Sequence, residues 1–150
     1  MSSPYVRTQV KDFLAANIPS ENVVDLTGEY EDLEDMLANQ GVSSPGPWLG
    51  LQFIGGDEIP ITIGSNNIQG KYRETGAIYI HVVDVASLGV SDSILTRAQT
   101  LRELFRGQRL GSMFIESVTP VNFEAGAALR FEDGYMSGTF FMGYQNDVDL

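Results

Sequence analysis

Residues 77–85 read Ala-Ile-Tyr-Ile-His-Val-Val-Asp-Val. β-Branched and aromatic side chains fill both alternating sets of positions, so neither face of an extended chain here suits water. The stretch predicts a central strand covered on two sides. Upstream, Trp48–Ile54 (WLGLQFI) begins the sheet and Gly55-Gly56-Asp57-Glu58 breaks it. Ile59–Ile63 alternates as a further short strand before the turn Gly64-Ser65-Asn66-Asn67. The span Gly55–Thr75 holds four glycines and little core material, and reads as a protruding loop or hairpin, mobile in the free chain.

Downstream, Leu110–Glu116 predicts a strand. Val121, Phe123, Ala125, Ala127, Leu129 and Phe131 alternate toward Asp133-Gly134, a two-residue hairpin turn. That turn sets Leu129 against Gly138, Ala127 against Phe140, Ala125 against Met142 and Phe123 against Tyr144. Two longer helices flank these strands. Ser3 caps the first, Pro4 opens it, and Val6, Val10, Phe13 and Leu14 form its apolar stripe, closed by Asn17 and Pro19. Ser91 is expected to cap the second. Its buried stripe is Ile94, Leu95, Ala98, Leu101, Leu104 and Phe105, and Gly107 ends it. Asn22–Leu26 is a short strand, Glu29–Asn39 a short helix or helical turn stopped by Gly41, and 41–47 (GVSSPGP) a loop. The order predicts an α+β fold: a mainly antiparallel sheet with two longer helices packed on one face, plus the protruding loop or hairpin. A length of 150 residues suits a single domain, 1–150.

Twenty acidic and nine basic residues give a net charge of −11. Such a chain is poorly suited to non-specific nucleic-acid binding, which depends on Lys and Arg to release counterions. The charge is segregated: −8 over residues 1–58, +2 over 59–110 and −5 over 111–150. A surface of separated sign suits self-association between unlike patches. With no cysteine, disulfides, thiolate metal sites and a cysteine nucleophile are excluded. No apolar run approaches the roughly 18 residues that span a bilayer, and the first residues lack the pattern of a secretory signal, so no membrane role is expected.

Catalytic signatures are missing. There is no GxSxG, GxGxxG, phosphate-loop lysine or HExxH motif, and an enzyme is not expected. The single histidine, His81, could serve as a base or a ligand. With no second histidine or cysteine to share a metal, it reads better as a hydrogen-bonded strand residue beside Tyr79 and Val83. No metal or cofactor is expected. The acidic run Glu29, Glu31, Asp32, Glu34 and Asp35 lacks the alternating ligand spacing of a calcium loop. It reads as a solvated face, or as the lining of an acidic channel or partner surface. Arg97, Arg102, Arg106 and Arg109 lie on or just past the second helix, with Arg102 and Arg106 four apart on one side. Arg97, Arg102 and Arg106, with Asp57, Glu58, Lys71 and Arg73 of the protruding segment, are the candidates for a subunit or partner interface.

The chain pattern also carries a resemblance. GPWLGLQFI (46–54), GAIYIHVVDV (76–85), the helix SILTRAQTLRELFRGQRL (93–110), SVTPV (117–121) and GTFFMGYQND (138–147) follow one another over roughly Tyr5–Asp149. In that order and spacing they resemble the tail terminator, or tail completion, proteins of long-tailed bacteriophages. The resemblance implies a structural virion protein that forms a ring, usually a hexamer, on the head-proximal end of the tail tube. The ring stops tube growth and offers a surface for head joining. Its implied partners are further copies of itself, the tail tube protein and the head-completion or connector protein. DNA passes through without specific binding, and an acidic lumen would keep its phosphates from sticking. The implied location is the neck of the virion, and the host cytoplasm during assembly. The family brings no catalytic residues. Competing readings are another head-completion, neck or tail assembly protein, and a small enzyme with a carboxylate-only site.

Overall fold

A computed structural model describes residues 3–27, 33–41, 46–60, 71–123 and 135–149. The elements run α1 (Pro4–Asn17), β1 (Val23–Asp25), α2 (Leu33–Asn39), β2 (Trp48–Pro60), β3 (Lys71–Val85), α3 (Val90–Phe105), β4 (Arg109–Leu110), β5 (Met113–Val118) and β6 (Tyr135–Asp149). The strands form one sheet in the order β1-β2-β3-β6-β5-β4. Among the described strands, only β1 and β2 pair in parallel; the other neighbours are antiparallel. The fold is α+β.

Local chemistry sets the helix ends. The Ser3 hydroxyl accepts from the Val6 amide, and Pro4 supplies a fixed φ in the first turn. Val6, Val10 and Leu14 are buried at a spacing of four, so one stripe of α1 faces the sheet. Helix α3 differs from its expected start: it begins one residue after Gly89, whose φ of +80° suits glycine, and Ser91 lies inside the first turn. Its buried stripe is Val90, Ile94, Ala98, Leu101 and Phe105, whereas Leu95 is 40% exposed. Leu95 follows Ile94 by 100° of helical rotation, which carries it off the narrow stripe.

The main core lies between these two helices and one sheet face. Leu49, Leu51 and Phe53 of β2, Ile78, Ile80 and Val82 of β3, Phe140, Met142 and Tyr144 of β6, and Met113 and Ile115 of β5 all point to it. Each large side chain fully buried this way contributes about 1.5–3 kcal/mol. Strand period places the intervening residues on the opposite face. A smaller core of Val24, Leu26, Leu37, Trp48 and Val83, with Tyr135 against it, covers one end of that second face beneath α2. Among the described residues, no helix lies over the rest. So β3 is central, as expected, and is buried on both sides from Ile80 to Val83, whereas Tyr79 and Ala77 on the second face are only partly buried.

Three further expectations are corrected. Gly55–Glu58 does not break the sheet: β2 runs through it with a bulge, where the Asp57 amide donates to the Thr75 hydroxyl and that hydroxyl donates to the Asp57 carbonyl. Ile59 therefore continues β2, opposite Arg73; residues 61–70 lie outside the described residues. The expected strand at Leu110 is two strands, parted by a turn at Gly111, whose φ is +65°. Phe123 does not face Tyr144. Both edges of Tyr144 are filled, by Gly76 of β3 and Ile115 of β5, and the bridge at this point joins Asn122 to Thr139. The other pairings expected across the Asp133-Gly134 turn involve residues 124–134, outside the described residues.

Candidate interaction surface

Most of the basic side chains that the sequence offers for contacts are already used within the chain. Arg97 Nε and Nη2 donate to the two carboxylate oxygens of Glu21 at 3.1 and 2.8 Å, and its Nη1 donates to the Val83 carbonyl at 3.1 Å. Both side chains are largely covered. Arg102 Nε donates to the Thr119 carbonyl at 2.7 Å, which ties the chain after β5 to α3, and its Nη1 donates to Gln99. Arg73 makes two bonds to Asp147 across the β3–β6 pair, and Asp147 pushes its pKa further up. Arg7 and Lys11 both reach Asp25. Burial of Asp25 pushes its pKa up, but the bonds from Lys11, Arg7 and Thr27 outweigh this and hold it below the usual carboxylate range.

Of the remaining expected contact residues, Arg106 is exposed just past α3, and Asp57 and Glu58 are exposed at the bulge. Lys71 opens β3 opposite Asp149, with its side chain outside the described set. Arg102 and Arg106 do not act as one free face: the first is a tether and the second lies beyond the last helical residue. Asp35 is exposed on α2. The Glu34 side chain, and Glu29, Glu31 and Asp32 entirely, lie outside the described residues. Among the described residues, no three His, Asp or Glu side chains come together to hold a metal.

His81 is fully buried on the second sheet face. Nδ1 lies 2.8 Å from the Thr139 hydroxyl and Nε2 3.4 Å from the Gln52 side-chain oxygen. Burial lowers its pKa to about 4, so the ring is neutral at pH 7. It is a hydrogen-bonded strand residue, stacked near Tyr79.

The feature that sequence reasoning passed over is the part of the second face that no described helix covers. Gln52, Tyr79 and Phe141 form one row across β2, β3 and β6, and Ile54, Ala77 and Gly143 form the next. Ile54 is 42% and Phe141 40% exposed. Tyr79 and Phe141 pack with ring centroids 5.4 Å apart. Beside them is a cavity of about 240 Å³, lined by Tyr79, Thr119, Pro120, Asn122, Thr139 and Phe141 among others. The signal was present in Phe140-Phe141. Adjacent strand residues point to opposite faces, so one of two neighbouring phenylalanines had to leave the helix-covered core.

No protein-family model and no curated protein matches this sequence. Solved structures do match. One covers 97% of this chain and 96% of its own, with a TM-score of 0.51 and 15% sequence identity. That likeness concerns the fold.

Proposed function

We propose that this chain is a ring-forming tail terminator of a long-tailed bacteriophage. Copies close into a ring, most simply a hexamer, on the head-proximal end of the tail tube, end its growth and present the head-joining surface. The observation that carries this reading is the order and spacing of the five sequence blocks from GPWLGLQFI to GTFFMGYQND. Two features of the molecule support it. The GPWLGLQFI, GAIYIHVVDV and GTFFMGYQND blocks fall on β2, β3 and β6, the three adjacent strands at the centre of the sheet. And Ile54 and Phe141 are exposed on a sheet face that no described helix covers, an apolar patch suited to a macromolecular contact.

The partners of this reading are further copies of the chain, the tail tube protein and a head-completion protein. DNA passes through the ring without being held, which the excess of acidic residues favours. The test is to add the purified protein to polymerising tail tube protein and image the products. Tubes of bounded length with a ring on one end support the proposal. Tubes that grow as they do without the protein overturn it.

A further inference from the structure

We propose that the outer edge of β1 receives an extended peptide segment of another chain, which pairs by its main chain with Val23 and Asp25 and sets a carboxylate beside Lys11. The site stands apart from the ring reading, because any chain with a suitable segment fills it.

Among the described strands, β1 closes one side of the sheet. The Leu49 amide donates to the Asn22 carbonyl, and the Leu26 amide donates to the Leu51 carbonyl. Residues 22, 24 and 26 therefore turn their main-chain groups toward β2, and Val23 and Asp25 turn theirs outward. At Asp25 the chemistry that this edge accepts is visible. The Gln40 side-chain oxygen accepts from the Asp25 amide at 2.7 Å, and Gln40 Nε2 donates to the Asp25 carbonyl at 3.1 Å. One carboxamide thus makes the donor and acceptor pair that a residue of an added strand would make. An antiparallel strand would exchange both bonds with Asp25 and both with Val23, two residues away. Gln40 is exposed just past α2 and keeps its two bonds only by fixing a long side chain, so a peptide with twice the bonds displaces it.

There is room along this edge. A cavity of about 340 Å³ lies here, lined by Lys11, Ala15, Glu21, Val23, Asp25 and Gln40 among others. The short Ala15 side chain on the α1 wall leaves space for a side chain of the incoming strand.

Charge selects which segment enters. Arg7 and Lys11 share the one carboxylate of Asp25, and Glu21 is matched by Arg97. These five side chains leave one positive charge in excess around the groove, in a chain that carries −11 overall. Lys11 is 43% exposed against 28% for Arg7, so Lys11 is the cation within reach. Asp12 and Asp35 are exposed on α1 and α2 but lie outside the groove's lining. A carboxylate beside Lys11 gains a partner there, whereas an ammonium would meet one of its own sign.

The experiment is an amide NMR titration of the full-length protein with two short blocked peptides, one alternating valine with glutamate and one alternating valine with lysine. The glutamate peptide should shift the Val23 and Asp25 amides to saturation, and the lysine peptide should bind about tenfold more weakly. Gln40→Ala, at an exposed position, opens the edge and should tighten binding of the glutamate peptide. Lys11→Gln should weaken that binding and bring the two peptides close to equal. Val23 and Asp25 amides that stay in place in both the parent and Gln40→Ala would show that Gln40 merely seals the edge, and would overturn the proposal. Equal binding of the two peptides to the parent would overturn the acidic partner. The parent's own response needs no variant to fold.

Discussion

Arg97 of α3 and Glu21, in the loop before β1, meet through two hydrogen bonds of 3.1 and 2.8 Å although 76 residues separate them. Both side chains are mostly covered, 18% and 23% exposed, so the pair is only partly screened by water. The third Arg97 bond, to the Val83 carbonyl, adds the end of β3. One guanidinium thus fastens the helix layer, the end of the central strand and the loop leading to the edge strand. Arg97→Ala should destabilise the domain by about 1–3 kcal/mol, because it also leaves a partly buried carboxylate unpaired. Urea unfolding of Arg97→Ala, Glu21→Gln and the double variant checks this. The two effects should be markedly non-additive; fully additive losses would show that the pair contributes nothing as a pair.

Arg102 and Arg106 should part company. Arg102→Ala frees the Thr119 carbonyl from a charge-assisted bond and should cost about 1.5–3 kcal/mol. Arg106 is exposed, and Arg106→Ala should stay within about 0.5 kcal/mol of the parent. Equal stability of the two variants in urea would contradict the tether.

Gly138 has no room for a methyl group. A Cβ there would lie 2.8 Å from Ile94 Cγ2 on α3 and 3.0 Å from Val121 Cγ1. The strand approaches the helix this closely because the glycine is bare. Gly138→Ala should lower stability by about 1–3 kcal/mol through overpacking. A melting temperature equal to the parent's would mean that the helix shifts at no cost.

These residues also mark how far the sequence could be read. Ser3-Pro4 and the Val6, Val10 and Leu14 spacing place α1 because capping and helical period are local. The apolar run at 77–85 places β3 for the same reason. The fate of Gly55-Gly56-Asp57-Glu58 is not local. Two glycines followed by two acids suggest a break, yet a bulge stitched by Thr75 keeps the strand whole, and Thr75 lies on the partner strand. The expected pairing of Phe123 fails because an Asp-Gly turn fixes register only if the strand's edge is free. β6 has one edge covered along its length by β3, and β5 holds the other at Tyr144. Helical spacing shows which residues share a side, and so groups the arginines. It does not show which carbonyl or carboxylate another element will bring.

His81 links stability to pH. Its folded pKa is lowered by burial to about 4, whereas an unfolded chain titrates near 6.5. Between these values the unfolded state binds a proton that the folded state excludes, so stability rises with pH. Lowering the pH from 7 to 4 should remove about 3 kcal/mol of the stability that His81 contributes. Asp25, whose folded pKa is lowered, adds a loss that begins lower, near the unfolded carboxylate value of about 4. His81→Gln should flatten the upper part of the curve. Unfolding free energies from pH 7 to 4.5 that fall equally for parent and variant would contradict this.

The central claim is that copies of this chain close into a ring. The most direct measurement is negative-stain imaging of the purified protein, with its mass taken by sedimentation at the same concentration. The account predicts closed rings with a central hole and a mass that is a fixed multiple of 16.4 kDa. Isolated monomers at every concentration and salt would contradict it.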